Sequence, residues 1–239
     1  MKVSYPFHLM LPTLQKEGIA CDEKALERLT RYGDLLREWN EKTNLTAITD
    51  PEGIVIKHFL DCALLLKYVD LKNGAKVVDV GTGAGFPGMV LKILRPDIEL
   101  TLMDGLNKRL VFLNEVLENL GLEAKTVHLR AEEAGQKAEF REQYDLVTAR
   151  AVAKLNLLYE YCLPLCKVGG IFCSMKGPTA SEEIKDGAKA AGILGGSKAE
   201  VFYETLTGEE QRAFVSVKKI SQTSPKYPRA SAKIAKQPL

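Results

Sequence analysis

The chain has 239 residues, 46% hydrophobic and 27% charged, with a formal net charge of +2. That suffices for one globular domain with an extension, and no apolar run approaches the length of a membrane span. Five cysteines (Cys21, Cys62, Cys162, Cys166, Cys173), with no C-x-x-C spacing, argue against a disulfide framework and for a reducing compartment. Cys162 and Cys166 are expected on one helix face as core residues, without a histidine nearby to make a zinc site. The N-terminus, with Lys2, Pro6, His8 and Pro12, does not read as a secretory signal, so a cytoplasmic protein is expected.

Residues up to about Tyr68 read as helices. Asp22-Glu23 opens a segment with Leu26, Leu29, Tyr32, Leu36 and Trp39 at helical spacing, which Asn40, Thr43 and Asn44 then break. Asp50-Pro51 starts a second helix running through His58, Phe59 and Leu64. From Lys76 onward short apolar runs alternate with helical segments, the signature of a parallel sheet in an α/β fold. Strands are expected at 76–80, 99–104, 124–129, Tyr144–Ala149 and Gly170–Lys176. Helices fall between them: one ended by Pro96, one at 106–120 capped by Gly121, a short one near Glu132, one at 155–166 and one at Ser181–Gly192. A final antiparallel pair, near 198–205 and 212–220, is joined by the turn Thr207-Gly208. The division is 1–72 as a helical extension, 73–220 as the α/β domain and 221–239 as a basic tail.

The most informative segment is Asp79-Val80-Gly81-Thr82-Gly83-Ala84-Gly85-Phe86, directly after the first strand, with Asp104 ending the second. Glycines in such a turn let backbone approach a ligand, and an acidic residue about 20 positions on can take the hydroxyls of a ribose. Two registers compete. Gly83–Gly88 matches the dinucleotide G-x-G-x-x-G, but Pro87 would stand where an amide should face the pyrophosphate. The register starting at Gly81 resembles motif I of class I methyltransferases, which bind S-adenosylmethionine; their folds are Rossmann-like with a seven-stranded, mostly parallel sheet. A carboxylate such as Asp79 favours a cationic sulfonium nearby.

Methylation of an exocyclic amine uses a Pro-Pro-aromatic element after the fourth strand, where this chain has Thr148-Ala149-Arg150-Ala151-Val152. Carbon methylation of cytosine needs a cysteine nucleophile, often in Pro-Cys, and no proline here precedes a cysteine. What remains includes acceptors that already present a lone pair, such as N7 of guanine. The segment from Lys218 to Leu239 carries Lys218, Lys219, Lys226, Arg229, Lys233 and Lys236 and no acid, leaving −4 for the rest of the chain. Such a tail is either a solvated terminus or the dock for a polyanion, and Tyr227 between prolines adds a stacking surface.

Several blocks together resemble the bacterial small-subunit ribosomal RNA methyltransferase G family (RsmG; GidB, glucose-inhibited division protein B). They are Asn44–Ile48, Lys57–Asp61, Asp79–Gly88, Leu106–Arg109, Tyr144–Val152, Leu163–Leu165, Lys176-Gly177 and Tyr227–Arg229. The resemblance implies an enzyme that methylates N7 of one guanine in 16S rRNA, in the 530-loop near the decoding centre, with S-adenosylmethionine as cofactor. It implies 16S rRNA or the 30S subunit as partner, no metal, no membrane, and a monomer. Asp79, Gly81, Gly83, Gly85, Phe86, Asp104, Ala131, Glu132 and Arg150 would form the cofactor site, with Arg150 also catalytic beside the methyl donor and incoming base. Asn44, Lys57, His58, Lys176, Lys226, Arg229 and Lys233 are the expected RNA contacts, and His58 and Asp61 a local hydrogen-bonded pair. Gly105, Cys62 and the sequence after Arg229 depart from the family pattern. The alternatives are an NAD-dependent oxidoreductase and an RNA-binding protein without turnover.

Overall fold

A computed structural model describes residues 3–206 and 210–239. A short helix, α1 (Leu11–Lys16), precedes α2 (Glu23–Thr43). Asp22 caps α2 by accepting from the Ala25 amide at 2.8 Å, and Asn44 ends it at a φ of 47°. Asp50 caps α3 (Pro51–Gly53) in the same way. From there one helical rod continues as a π-helical segment, Ile54–Leu60, then α4 (Asp61–Ala63) and a 3-10 turn, Leu64–Lys67. The expected helix is thus present, but its middle is wound more widely, a distortion frequent at functional sites.

The sheet strands are β1 (Lys76–Val80), β2 (Glu99–Asp104), β3 (Lys125–His128), β4 (Tyr144–Arg150), β5 (Cys166–Lys176), β6 (Glu200–Thr205) and β7 (Gln211–Lys218). Their order is β3-β2-β1-β4-β5-β7-β6; the first five are parallel, and β7 lies antiparallel between β5 and β6. The intervening helices are α5 (Gly88–Leu94), α6 (Asn107–Leu120), α7 (Ala131–Ala134), α8 (Leu155–Cys162) and α9 (Ala180–Ile193), and α10 (Ser231–Lys236) follows β7. Alternate residues of each central strand face opposite layers. Val77, Leu102 and Leu146 pack with α2, the rod, α5 and α6; Val78, Met103 and Val147 pack with α8 and α9.

The N-terminal helices are built into the first layer. Tyr32 donates from Oη to the Ala84 carbonyl in the glycine turn, and Trp39 donates from Nε1 to Glu115 of α6 at 2.9 Å while packing on Phe112.

Three expectations change. The helix at 155–166 stops at Cys162: Leu163 still has helical dihedrals, but Pro164 has no amide to donate back into the helix. Cys166 therefore begins β5, which starts four residues before Gly170, and it shares no helix face with Cys162. A register shift between Tyr144 and Leu146 absorbs the early start. The expected turn Thr207-Gly208 lies outside the described residues. The tail also differs from a free basic segment: Tyr227 is buried at 8% exposure, so its ring is not offered for stacking, and Ile234 of α10 is fully buried. Among the described residues no helix is long and apolar enough to cross a membrane, and no group of three His, Cys, Asp or Glu could hold a metal ion.

Candidate functional site

The turn after β1 is held open by one carboxylate. Asp79 is fully buried, and its Oδ2 accepts from Thr82 Oγ1 at 2.7 Å and from the Gly88 amide at 2.8 Å. This ties the strand end to the first residue of α5. Its Oδ1 is buried without a partner, and burial raises the carboxyl to about 6. Gly81, Gly83 and Gly85 all have positive φ. A Cβ on Gly81 would stand 2.8 Å from Val152, and one on Gly85 would stand 2.7 Å from Met89 and from the Tyr32 hydroxyl. Gly81 thus leaves room at a cavity wall, while Gly85 leaves room for the core below. The dinucleotide register is disfavoured as well. The Gly88 amide, which a pyrophosphate would need, is already taken by a buried carboxylate that would repel it.

A cavity of about 270 Å³ opens over the C-terminal ends of β1 and β2, the edge where open α/β sheets bind ligands. Val80 and Gly81 form one side with Val152, and Met103, Asp104, Gly105 and Leu106 form the floor. Leu129 to Glu132 form the far side, closed by Tyr161 of α8 and Ser231 of α10. Leu106 and Val152 are 48% and 40% exposed, which gives the mouth an apolar rim. Val152 is aimed there because Ala151 turns the chain at a φ of 56°, a left-handed conformation that costs a non-glycine residue about 1 kcal/mol.

Asp104 is 3% exposed. Its Oδ2 accepts from the Gly83 amide at 2.9 Å and its Oδ1 from the Leu106 amide at 2.8 Å, which fixes the carboxylate plane. Arg109, at 39% side-chain exposure, reaches Oδ2 at 3.2 Å. Its Nη1 also reaches Oδ1 at 3.5 Å. The roughly four hydrogen bonds a carboxylate accepts are thus divided between two backbone amides and this partly exposed guanidinium, whose two places a ligand could take. A vicinal diol needs two. The cavity, its apolar rim and this carboxylate fit an adenosyl group.

Beside the cavity lies a second, charged cluster. The Arg150 guanidinium stacks over Phe86 with Cζ 4.8 Å from the ring centroid, and the His58 ring stacks on the same phenyl at 4.3 Å. Arg150 Nη1 donates to the Lys57 carbonyl at 3.0 Å and meets Asp61 Oδ2 at 3.2 Å; Nη2 donates to His58 Nδ1 at 3.0 Å. His58 Nδ1 also lies 3.2 Å from the Lys57 carbonyl, but a guanidinium is always protonated and is the nearer partner, which assigns Nδ1 as the acceptor and the ring proton to Nε2. That proton goes to Thr46 Oγ1 at 2.9 Å, and the hydroxyl oxygen in turn accepts from the Ile48 amide. Burial, and then the Arg150 charge, push His58 down to about 3. Arg212 Nε adds a second cation 3.5 Å from Asp61, whose carboxyl burial nonetheless raises.

The predicted residues therefore separate. Gly81, Asp104, Ala131 and Glu132 line the cavity; Asp79, Gly83, Gly85 and Phe86 build the turn beneath or beside it, and Arg150 sits in the adjoining cluster. His58 and Asp61 do not bond to each other, because Arg150 stands between them. Asn44, Lys226 and Lys233 are exposed, and Lys57 is partly so, 3.3 Å from Glu210. The polar groups of the other three expected RNA contacts are engaged within the protein: His58 as above, Lys176 by Glu183 and the Ala153 carbonyl, and Arg229 by Glu160. Gly105, Leu106, Arg130, Val152, Tyr161 and Ser231 were not anticipated in the cavity. Gly105, Leu106 and Arg130 adjoin predicted residues, so the strand ends could have pointed to them; Tyr161 and Ser231 carry no local signal.

Both the fold and the sequence have known relatives. Among solved structures, the fold is similar to a SAM-dependent O-methyltransferase from Thermotoga maritima. The TM-score is 0.56 at 15% identity, covering 79% of this chain and 73% of that one. TrmN from Thermus thermophilus is similar at a TM-score of 0.53 and 19% identity, over 70% of this chain and 53% of that one. These likenesses define a class I methyltransferase fold. Residues 25–226 match the family model GidB, rRNA small subunit methyltransferase G. The chain is 45% identical to the Ribosomal RNA small subunit methyltransferase G of Clostridium perfringens, covering 98% of both chains. It is 50% identical to that of Desulforamulus reducens, over 87% of this chain and 88% of the other. The chain belongs to the rRNA small subunit methyltransferase G family.

The Arg150 cluster makes two predictions. Replacing Arg150 by Met strips Asp61 of its nearer cation and should lower unfolding stability by about 3 kcal/mol in urea titrations. His58, depressed in the folded state, contributes stability that is complete above its unfolded value near 6.5 and is lost as pH falls toward about 3. The stability gap between the native chain and His58→Gln should therefore shrink by about 2 kcal/mol between pH 6.5 and 5. An unchanged gap would show that His58 titrates normally.

Proposed function

We propose that this protein uses S-adenosylmethionine to methylate N7 of a guanine in the 530-loop of 16S rRNA. The observation that carries this reading is the cavity at the β1 and β2 strand ends, with Asp104 on its floor, in a chain of this family. When bound, S-adenosylmethionine would supply an activated methyl group on a cationic sulfur. Asp104 would hold the ribose hydroxyls, Ala131 and Glu132 would meet the adenine edge, and Gly81 would let the backbone come close. Asp79, Gly83, Gly85 and Phe86 would serve the site by shaping its turn.

Guanine N7 presents a lone pair, so no residue need remove a proton before transfer, and catalysis reduces to positioning and electrostatics. Arg150, stacked on Phe86 and held by His58 and Asp61, would be the catalytic group that orients the incoming nucleotide. Stacked and forked, a guanidinium suits a base or a phosphate better than an ammonium does. Asn44, Lys57, Lys226 and Lys233 would meet the RNA backbone. His58, Lys176 and Arg229 would act on RNA through the elements they hold in place. The reading treats residues 1–72 as a helical extension, 73–220 as the catalytic domain and 221–239 as a tail, in a cytoplasmic monomer without a metal.

Incubating the protein with radiolabelled S-adenosylmethionine and unmodified 30S subunits should transfer label, and borohydride–aniline treatment of the product should break 16S rRNA at one site. No label excludes the enzyme; label without the break excludes N7. Asp104→Ala should weaken S-adenosylmethionine binding by about 1–3 kcal/mol in calorimetry, the worth of charge-assisted hydrogen bonds. Lys226→Gln with Lys233→Gln should flatten the dependence of log RNA affinity on log salt by about 0.7 for each phosphate that is no longer neutralised.

A further inference from the structure

The tail beyond β7 is clamped to the body by buried charge. Glu160 of α8 is fully buried, and its Oε1 accepts from both the amide and Nε of Arg229 at 2.8 Å, while Oε2 takes Arg229 Nη2 at 2.6 Å. Arg141 donates to the tail carbonyls of Thr223 and Tyr227 at 2.6 and 2.8 Å. Gln136 donates to the Pro228 carbonyl at 2.6 Å. A Cβ on Gly135 would stand 2.8 Å from Pro228, so α7 and the tail are in direct contact. Burying a carboxylate is costly unless it is fully paired, so this arrangement fixes the path of residues 223–229 rather than leaving a free terminus.

What the clamp positions is the residue that follows it. Ser231 lines the 270 Å³ cavity opposite Gly81, on the side of Arg130 and Glu132, and Ile234 anchors the next turn in the core. We propose that the tail is a wall of the cofactor site: residues 229–234 close the adenine end, and Ser231 is a binding residue for the adenosyl group. This rests on the reading of the cavity as the S-adenosylmethionine site. It gives the tail a second duty besides any contact of Lys226 and Lys233 with RNA, one that operates when no RNA is present.

The test is calorimetric titration of S-adenosylmethionine into RNA-free protein. Ser231→Phe, which fills the cavity from the tail side, should weaken binding by about tenfold or more. A chain ending at Arg229, which keeps the Glu160 clamp and loses α10, should weaken it by at least as much. Bound S-adenosylmethionine should also slow tryptic cleavage at Lys233 in the full chain. Native affinity in either variant, each checked for cooperative unfolding, would overturn the proposal and leave the tail to RNA alone. A native chain that binds no S-adenosylmethionine would overturn the cofactor reading itself.

Discussion

The Asp79 carboxylate is the constraint from which the site is built. With one oxygen it gathers the Thr82 hydroxyl and the Gly88 amide, so the end of β1, the glycine turn and the start of α5 keep a fixed relation. Once the turn is set, the Gly83 amide meets Asp104, which locks the neighbouring strand end to the same loop. The turn also brings Phe86 under Arg150 and puts the Ala84 carbonyl against Tyr32 of α2. Asp79 is placed to do this because it is fully buried, where hydrogen bonds are stronger and unpaired groups dear.

Arg150 does for the N-terminal rod what Asp79 does for the turn. The blocks Asn44–Ile48 and Lys57–Asp61 look unconnected in the chain, yet His58 and Asp61 converge on one guanidinium and Thr46 joins them through His58 Nε2. A charge at the end of a central strand is tolerable only with such partners. The rod is therefore positioned by electrostatics as well as by its apolar face, and the unusual winding of Ile54–Leu60 lies where these contacts are made.

The sheet was legible because each strand is a short apolar run followed by a turn signal, and the glycine turn and Asp104 were legible because their spacing is local. The α8–β5 junction was not: Cys162 to Gly170 is apolar enough for either element, and Pro164 decides the matter because its nitrogen cannot donate back into the helix. The pairing of Arg150 with Asp61 and of Arg229 with Glu160 spans 89 and 69 positions, which no local pattern encodes. For that reason Arg229 read as an RNA-facing cation although its charge is used internally, and Ser231 did not read as part of the site at all. Lys176 is paired with Glu183 only seven positions on, but across the turn between β5 and α9 rather than along one helix face.

Trp39 is the chain's one tryptophan, and it sits where α2 leans on α6, with its indole bonded to Glu115 and packed against Phe112. Its emission is consequently an intrinsic optical gauge of that seam. Spectral red-shift tracks the parting of the helical lobe from the sheet, with no label added, and can be compared with circular dichroism to ask whether the two melt as a single cooperative unit.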